Sequence, residues 1–300
     1  MFAEGFHMWG KINKLVRSHS IVVTLLIGAL FILALMGFAV LLMLAYGTMD
    51  AMVDAVTDPS FLALFTLGQI ALSGIVIYLM EKMQVFKVSD FKFVNIRKGF
   101  LIGWFNLVFA IGAFSLTFFA LPENSLIMPN PFALIVTILH PFLGTGAFEE
   151  VLVRGLIFKI LLLTMGHTKN GIIKAVLLSS AIFGVVHIVN VIIVGEFLPV
   201  IAQIIYATFI GVFYAVLYLR TKTLWIPILL HGLTNLSTQI FNVIISPNVL
   251  QDLMQNQTDP SVMDAFMPVV FSIPFLIVGL ILLRKVKAED VEYIMPERTV

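Results

Sequence analysis

The chain contains no cysteine, which excludes disulfide bonds, thiolate metal sites and a cysteine nucleophile. Charge is also scarce: Asp, Glu, Lys and Arg make up 12% of the 300 residues, whereas soluble domains are about one quarter charged. Hydrophobic residues make up 60%, and the mean hydropathy is +1.05. This composition excludes an ordinary soluble domain and predicts a polytopic membrane protein.

Long apolar runs separated by polar loops predict an all-α membrane bundle of about eight transmembrane helices. The runs cover residues 21–46, 61–80, 99–121, 131–165, 172–190, 197–219, 225–245 and 267–283. We expect a single transmembrane domain over residues 21–284, with the polar motifs in a core of residues 131–245. A cytoplasmic segment (1–20) precedes this domain, and a charged cytoplasmic tail (285–300), expected to fray, follows it.

The basic residues predict the orientation of the chain. With eight spans, all 18 Lys and Arg fall on one side, if Arg154 and Lys159 count with the inner end of the fourth span. Because loops rich in Lys and Arg stay in the cytoplasm, we expect both termini to be cytoplasmic. Arg154 and Lys159 are then expected to reach the lipid headgroups of the inner surface.

The fourth span is irregular. A straight helix over residues 131–165 would extend about 52 Å, well beyond a hydrocarbon core of about 30 Å. Pro141, Gly144 and Gly146 lie near its middle. They predict a kink or break near residues 141–146, followed by a second helical piece.

Three polar motifs interrupt the apolar runs. They are Glu149-Glu150-x-x-x-Arg154, Phe183-x-x-x-His187 and His231-x-x-x-Asn235. Residues four apart share one face of a helix, so the two members of each spaced pair point the same way. Ionisable residues inside a membrane are costly and mark functional sites, which makes the three motifs one candidate site.

Helical geometry predicts different roles for the two glutamates, because neighbouring side chains point about 100° apart. Glu150 precedes Arg154 in the favourable acid-before-base order, so we expect a structural ion pair. Glu149 would face a cavity without a partner and act as a general base on a water molecule. The side chains that can donate to that water or to an oxyanion are His187, His231 and Asn235.

Together the motifs resemble those of the CAAX-protease and bacteriocin-processing (CPBP, Abi) family of intramembrane endopeptidases, over residues 131–245. The resemblance implies a site that opens to the cytoplasm and a glutamate that activates water. The roles that it implies are catalytic for Glu149, His187, His231 and Asn235, and supporting for Glu150, Arg154 and Phe183.

The same resemblance implies a multi-pass protein of a bacterial plasma membrane, surrounded by membrane lipids. Its substrate would be a peptide or a lipid-anchored protein, and no nucleic acid is expected. Members of the family cleave prenylated proteins, carry out the maturation of peptides or confer self-immunity to bacteriocins. The identity of the substrate therefore stays open.

Several alternatives remain at this point. Two histidines and a glutamate meet the ligand count of a hydrolytic zinc site, with His187, His231 and Glu149 as ligands. No HExxH motif is present, and we favour a metal-free mechanism without a cofactor. A proton-coupled transporter and a non-catalytic immunity or scaffold protein are the other functional classes. We expect His140 at the surface or interface and Asn190 at a helix end.

Overall fold

The computed structural model describes residues 2–46, 58–255 and 262–295. The regular secondary structure of this described part is helical apart from one β-bridge between Leu126 and Ile245, so the predicted all-α bundle is confirmed. The helices are α1 (Phe2–Ser18), α2 (Ser20–Tyr46), α3 (Pro59–Lys82), α4 (Ile96–Ile102), α5 (Trp104–Ala120), α6 (Pro131–Met165), α7 (Lys169–Val185), α8 (Phe197–Thr221), α9 (Trp225–Gln239), α10 (Pro247–Gln255), α11 (Val262–Leu283) and α12 (Ala288–Ile294). Shorter helical turns lie at Val88–Phe91, Val186–Asn190, Val191–Val194 and Phe241–Ile244.

Six of the described helical segments are long and apolar enough to cross a membrane, namely α2, α3, α6, α7 together with the turn that extends it to Asn190, α8 and α11. Helices α4 and α5 meet at 65° and would add a seventh span if they count as one. Helix α9 has 15 residues, fewer than the roughly 20 that a span requires. The figure of about eight spans and the cytoplasmic position of the termini therefore stay predictions.

Helix α6 lies at the centre of the bundle, where it contacts α2, α3, α7 and α9. In the most apolar stretch of α6, 44% of the residues are buried, against 17% for α2. Helix α8 packs against α7 on one side and α11 on the other. The helices with polar motifs are therefore internal, and α2 lies at the edge of the bundle.

The backbone of α6 widens into π-helical turns at His140–Gly146 and again at Val151–Ile157. The α-helical turn between them, Ala147–Glu150, carries both glutamates. A π turn holds an extra residue and occurs frequently at functional sites. The irregularity predicted near Pro141 is present, although it is a wider turn in a continuous helical span and not a gap.

Two glycines allow α6 and α9 to approach closely. A Cβ atom at Gly146 would lie 3.2 Å from the carbonyl oxygen of Ile228, and one at Gly232 would lie 2.4 Å from the ring of Phe142. Small residues at helix contacts permit such close approach inside membranes. The approach brings the middle of α9, where His231 lies, next to the glutamates of α6.

Arg154 and Lys159 do not reach lipid headgroups. Their exposed fractions are 1% and 0%. Lys159 forms a buried ion pair with Asp90, and its ammonium also donates to the carbonyl oxygen of Val85 at 3.0 Å. The expectation was wrong because the loop between α3 and α4 folds inward and supplies a carboxylate for this lysine.

His140 is buried, and the expectation of a surface or interfacial position was wrong. Its Nδ1 lies 2.9 Å from the hydroxyl of Thr66, and its Nε2 lies 3.1 Å from that of Thr145. Both ring nitrogens therefore have hydrogen-bond partners inside the bundle, which removes most of the cost of burying the imidazole.

The described part of the tail is ordered against the bundle and does not fray. Helix α12 buries Val291 and Ile294, which are 6% and 0% exposed. Asp290 of this helix pairs with Lys222 at 3.6 Å. Apolar burial thus anchors the tail as far as residue 295, and residues 296–300 lie outside the described part.

Candidate active site

The two neighbouring glutamates of α6 occupy different environments. Glu150 is fully buried, whereas 24% of the Glu149 side chain is exposed and lines a cavity. The Oε1 atom of Glu150 accepts a hydrogen bond from Nη1 of Arg154 at 2.8 Å. Nη2 of Arg154 donates to the carbonyl oxygen of Gly211 on α8 at 3.1 Å. The pairing expected from the sequence is therefore present, and it leaves Glu149 facing the cavity.

His231 connects both glutamates. Its Nδ1 donates to Oε1 of Glu150 at 2.9 Å, and its Nε2 lies 3.7 Å from Oε2 of Glu149. A hydrogen bond from one ring nitrogen to a carboxylate fixes the tautomer and the orientation of an imidazole. Glu150 therefore holds the ring so that Nε2 faces Glu149.

His187 is oriented by its own helix. Its Nδ1 donates to the carbonyl oxygen of Phe183 at 2.8 Å, and its ring lines the same cavity as Glu149. With Nδ1 protonated, the Nε2 of a neutral imidazole accepts hydrogen bonds and does not donate them. His187 and His231 can therefore accept from a water when neutral, and can donate through Nε2 to an oxyanion only when protonated. The sequence predicts that both histidines donate to the water or to an oxyanion, so the structure restricts the role of each ring.

Phe183 packs between the charged pair and both histidines. The guanidinium of Arg154 lies over its ring, 4.6 Å from the centroid. The rings of His187 and His231 meet it edge-on, with centroids at 5.1 and 6.3 Å. A buried cation over an aromatic face is stabilised by the ring quadrupole, so Phe183 supports Arg154 and spaces the two imidazoles.

Two supporting residues were not identified from the sequence. Tyr214 of α8 stacks on His231, with centroids 5.4 Å apart and planes 26° apart. Its hydroxyl donates to Oδ1 of Asn106 at 2.9 Å, and Asn106 in turn donates to the carbonyl oxygen of Leu230. The available signal was that both are polar residues within apolar helices, but the sequence does not show which helix each would face.

Asn235 lies one turn beyond His231 on α9 and is half-buried. No hydrogen bond joins its side chain to another described residue, and it is not among the residues that line the cavity beside Glu149. The structure thus brings the other predicted site residues together and leaves the Asn235 amide adjacent, with no partner among the described residues for its donors or its acceptor.

The cavity has a volume of about 390 Å³ and is walled by α2, α3, α6 and α8 and by the end of α7. Its polar lining consists of Glu149, His187, Asn190 and Gln203. Asn190 does end a short helical turn, as expected, but its side chain also lines this cavity and donates to Oε1 of Gln203 at 2.9 Å. The remaining lining is apolar, which suits a hydrophobic ligand.

Among the described residues, no group of three or more His, Asp or Glu side chains is arranged to hold a metal ion. His187, His231 and Glu149, the ligands of the zinc alternative, are therefore not assembled as a binding site in this structure. Metal-free activation of water stays a prediction.

The fold and the site define an integral, multi-pass membrane protein with a carboxylate and an imidazole, those of Glu149 and His187, lining a cavity among its helices. Residues 131–237 match the family model described as type II CAAX prenyl endopeptidase, Rce1-like. This segment, which runs from the start of α6 into α9 and covers about a third of the chain, is thus similar to the CAAX-protease family of intramembrane endopeptidases. Comparison with curated proteins and with solved structures gave no match.

Proposed function

We propose that the protein is an intramembrane endopeptidase in which Glu149 activates the water that cleaves the substrate, in a site open to the cytoplasm. The similarity of residues 131–237 to a protease family supports the general activity. The observation that supports this mechanism is that the two glutamates occupy different environments. Glu150 is buried and bonded to Arg154 and His231, whereas Glu149 faces the cavity 3.7 Å from an imidazole nitrogen.

The proposed water is oriented by its two hydrogens. One hydrogen points to the Glu149 carboxylate and the other to Nε2 of a neutral histidine, which leaves an oxygen lone pair directed at the substrate carbonyl carbon. As the new C–O bond forms, Glu149 takes the proton. It then gives that proton to the departing amine nitrogen as the C–N bond breaks. Glu149 is therefore base and then acid in one turnover.

The oxyanion requires hydrogen-bond donors that are fixed before the reaction. Asn235 has an unused amide one turn from His231, which makes it the neutral donor in this proposal. His187 or His231 adds a second donor when its ring is protonated at Nε2. No metal is needed for these steps.

The proposed substrate is a prenylated peptide or the lipid-anchored tail of a protein. The matched family is described as a prenyl endopeptidase, and the cavity beside Glu149 has mainly apolar walls. Met36 and Met43 of α2 contribute to these walls, and flexible thioethers adapt to irregular apolar ligands. A substrate anchored in the inner leaflet would reach the cavity without leaving the membrane.

The decisive experiment replaces Glu149 by glutamine and follows cleavage of a prenylated peptide that ends in a CAAX sequence. We expect cleavage to fall by at least about 100-fold, because general-base catalysis is lost. Membrane insertion and thermal stability should be retained. Glu81→Gln is the matched control: this carboxylate is exposed and lies in the last turn of α3, so the variant should cleave normally. Normal cleavage by Glu149→Gln would reject the proposal.

A chelator tests the zinc alternative on the same assay. The proposed mechanism predicts unchanged cleavage after treatment with a strong chelator, and no stoichiometric zinc in the purified protein. If chelation abolishes cleavage and added zinc restores it, the proposed mechanism is wrong. The nucleophile would then be a metal-bound hydroxide and not a water activated by Glu149 alone.

A further inference from the structure

Two amide side chains in the cavity have no part in the proposed chemistry. Asn190 comes from the turn that follows α7, and Gln203 comes from α8. Their mutual hydrogen bond is 2.9 Å long. Besides this pair, the polar residues that line the cavity are Glu149 and His187, and the rest of the lining is apolar. The amide pair is thus the remaining fixed polar feature of the cavity wall.

The pair retains hydrogen-bonding groups after its mutual bond is counted. Asn190 uses an Nδ2 hydrogen and keeps its Oδ1 acceptor, while Gln203 uses Oε1 and keeps two Nε2 hydrogens. The hydroxyl of Tyr206, one turn further along α8, interacts with the Gln203 side chain and can engage one of these donors. At least one donor and one acceptor therefore remain for a ligand, in apolar surroundings where unpaired polar groups are costly.

A donor and an acceptor side by side match the edge of an extended peptide. The peptide N–H would donate to Oδ1 of Asn190, and the peptide carbonyl would accept from Nε2 of Gln203. Recognition of extended peptides through backbone hydrogen bonds is a common binding mode, since it does not depend on the side chains of the ligand.

The distance along the wall also fits a peptide. Asn190 follows His187 by three residues in a 3₁₀-helical turn, which rises about 6 Å at about 2 Å per residue. Two residues of an extended chain span about 6.6 Å. A substrate with its scissile bond beside His187 and Glu149 would thus place a backbone amide two residues away at the Asn190–Gln203 pair.

We propose that Asn190 and Gln203 form a subsite that binds the backbone of the peptide substrate two residues from the bond that is cleaved. The subsite positions the extended chain and does not touch the reacting atoms. It rests on the proposed peptidase function, because a peptide must enter this cavity. Its contribution is to substrate binding and therefore to KM.

The first test is Gln203→Met, which removes the carbonyl and the NH2 of the Gln203 amide at nearly constant volume. With a prenylated peptide ending in a CAAX sequence, we expect KM to rise about tenfold, as for the loss of one ligand hydrogen bond. The kcat should stay within about twofold, since the reacting groups are untouched. Direct binding of the same peptide to the Glu149→Gln protein should weaken equally when Gln203→Met is added.

A second variant separates substrate binding from a purely structural link between α8 and the turn after α7. Gln203→Glu keeps an acceptor for Asn190 but loses the Nε2 donors, so the proposal predicts a raised KM here too. Ile201→Ala, at an exposed position on the same helix, is the matched control and should leave KM unchanged. An unchanged KM in both Gln203 variants overturns the subsite, even if Gln203→Met lowers the melting temperature.

Failure of the subsite can be told apart from failure of the proposed function. If the subsite alone is wrong, Glu149→Gln is still inactive and the Gln203 variants have the KM of the unmodified protein. If the peptidase assignment is wrong, the unmodified protein does not cleave the peptide, or Glu149→Gln cleaves it normally.

Discussion

Nδ1 of His231 lies 2.9 Å from Oε1 of Glu150, the oxygen that also accepts from Arg154 at 2.8 Å. One buried carboxylate oxygen thus orients an imidazole and neutralises a guanidinium. In the proposed mechanism the two adjacent glutamates have separate roles: the base exchanges a proton with water, and the group that holds His231 keeps its charge. Two neighbouring positions on α6 supply both environments.

Glu150→Gln should destabilise the protein strongly. The amide oxygen can still accept hydrogen bonds, but Arg154, 1% exposed, would be left as an uncompensated buried charge. Breaking a buried ion pair in this way costs about 3–5 kcal/mol. Thermal unfolding of the purified protein in detergent would show the loss as a lower melting temperature, together with reduced cleavage.

Glu149→Gln is the natural comparison for this experiment, because it alters the adjacent carboxyl without stranding a charge. It should retain the melting temperature while losing cleavage. Equal melting temperatures for the two glutamine variants would contradict the division of roles between Glu149 and Glu150.

Gly232→Ala should disturb the contact between α6 and α9. The added methyl would lie 2.4 Å from a carbon of the Phe142 ring, closer than non-bonded atoms approach. Overpacking of this kind costs about 1–3 kcal/mol, and it would move His231 relative to Glu149. We expect a lower melting temperature and reduced kcat, with partial recovery when Phe142→Ala supplies the missing space.

Gly112→Ala is a matched control on α5, since nothing lies within 4 Å of the added methyl there. Alanine favours a helix over glycine by about 0.5–1 kcal/mol, so this variant should be as stable as the unmodified protein or slightly more so. If both variants lowered the melting temperature to a similar extent, the loss would come from replacing glycine within a helix and not from the contact between α6 and α9.

Local relationships were predictable from the sequence, and relationships between distant segments were not. The pair of Glu150 and Arg154 follows from helical spacing alone. The partner of Lys159 does not, because Asp90 is 69 residues away and folds inward from a loop that is otherwise basic. The sequence therefore favoured lipid headgroups for Lys159, and only tertiary packing shows the buried ion pair.

The same distinction holds within the site. The motif spacing predicted that Glu149 and Glu150 would diverge, and that His187 would share a helix face with Phe183. The stacking of Tyr214 on His231 depends on how α8 is rotated against α9, which no local pattern specifies. The Nδ1 bond of His231 to Glu150 likewise joins residues 81 positions apart, whereas that of His187 to Phe183 stays within the motif spacing.

Lys159→Met distinguishes the buried ion pair from contact with headgroups. Asp90 would be left charged in a fully buried position, bonded only to neutral partners such as the hydroxyl of Tyr218 at 2.7 Å. We expect a loss of about 3–5 kcal/mol in unfolding free energy, as for other broken buried pairs. Lys98→Met, at an exposed lysine on α4, should change stability by less than about 0.5 kcal/mol. If both variants changed the unfolding free energy by the same small amount, the result would support contact of Lys159 with lipid headgroups.

The orientation of the chain can be tested directly because it has no cysteine of its own. Single cysteines in place of Lys98 and Glu123, both exposed, lie on either side of α5. If both termini are cytoplasmic, an impermeant maleimide should label Lys98→Cys only from the cytoplasmic side and Glu123→Cys only from the opposite side. Labelling of intact and of permeabilised spheroplasts gives the two measurements.

This experiment also decides whether α4 and α5 act as one span. Helix α5 has 17 residues, and it needs the bent extension of α4 to approach the length of about 20 that crosses a bilayer. Labelling of both cysteines from the same side would mean that α5 does not cross. A reversed pattern would place the basic loops outside, and a substrate anchored in the inner leaflet would then meet the wrong face of the protein. The proposed cytoplasmic opening of the site therefore depends on the same result as the predicted positions of the termini.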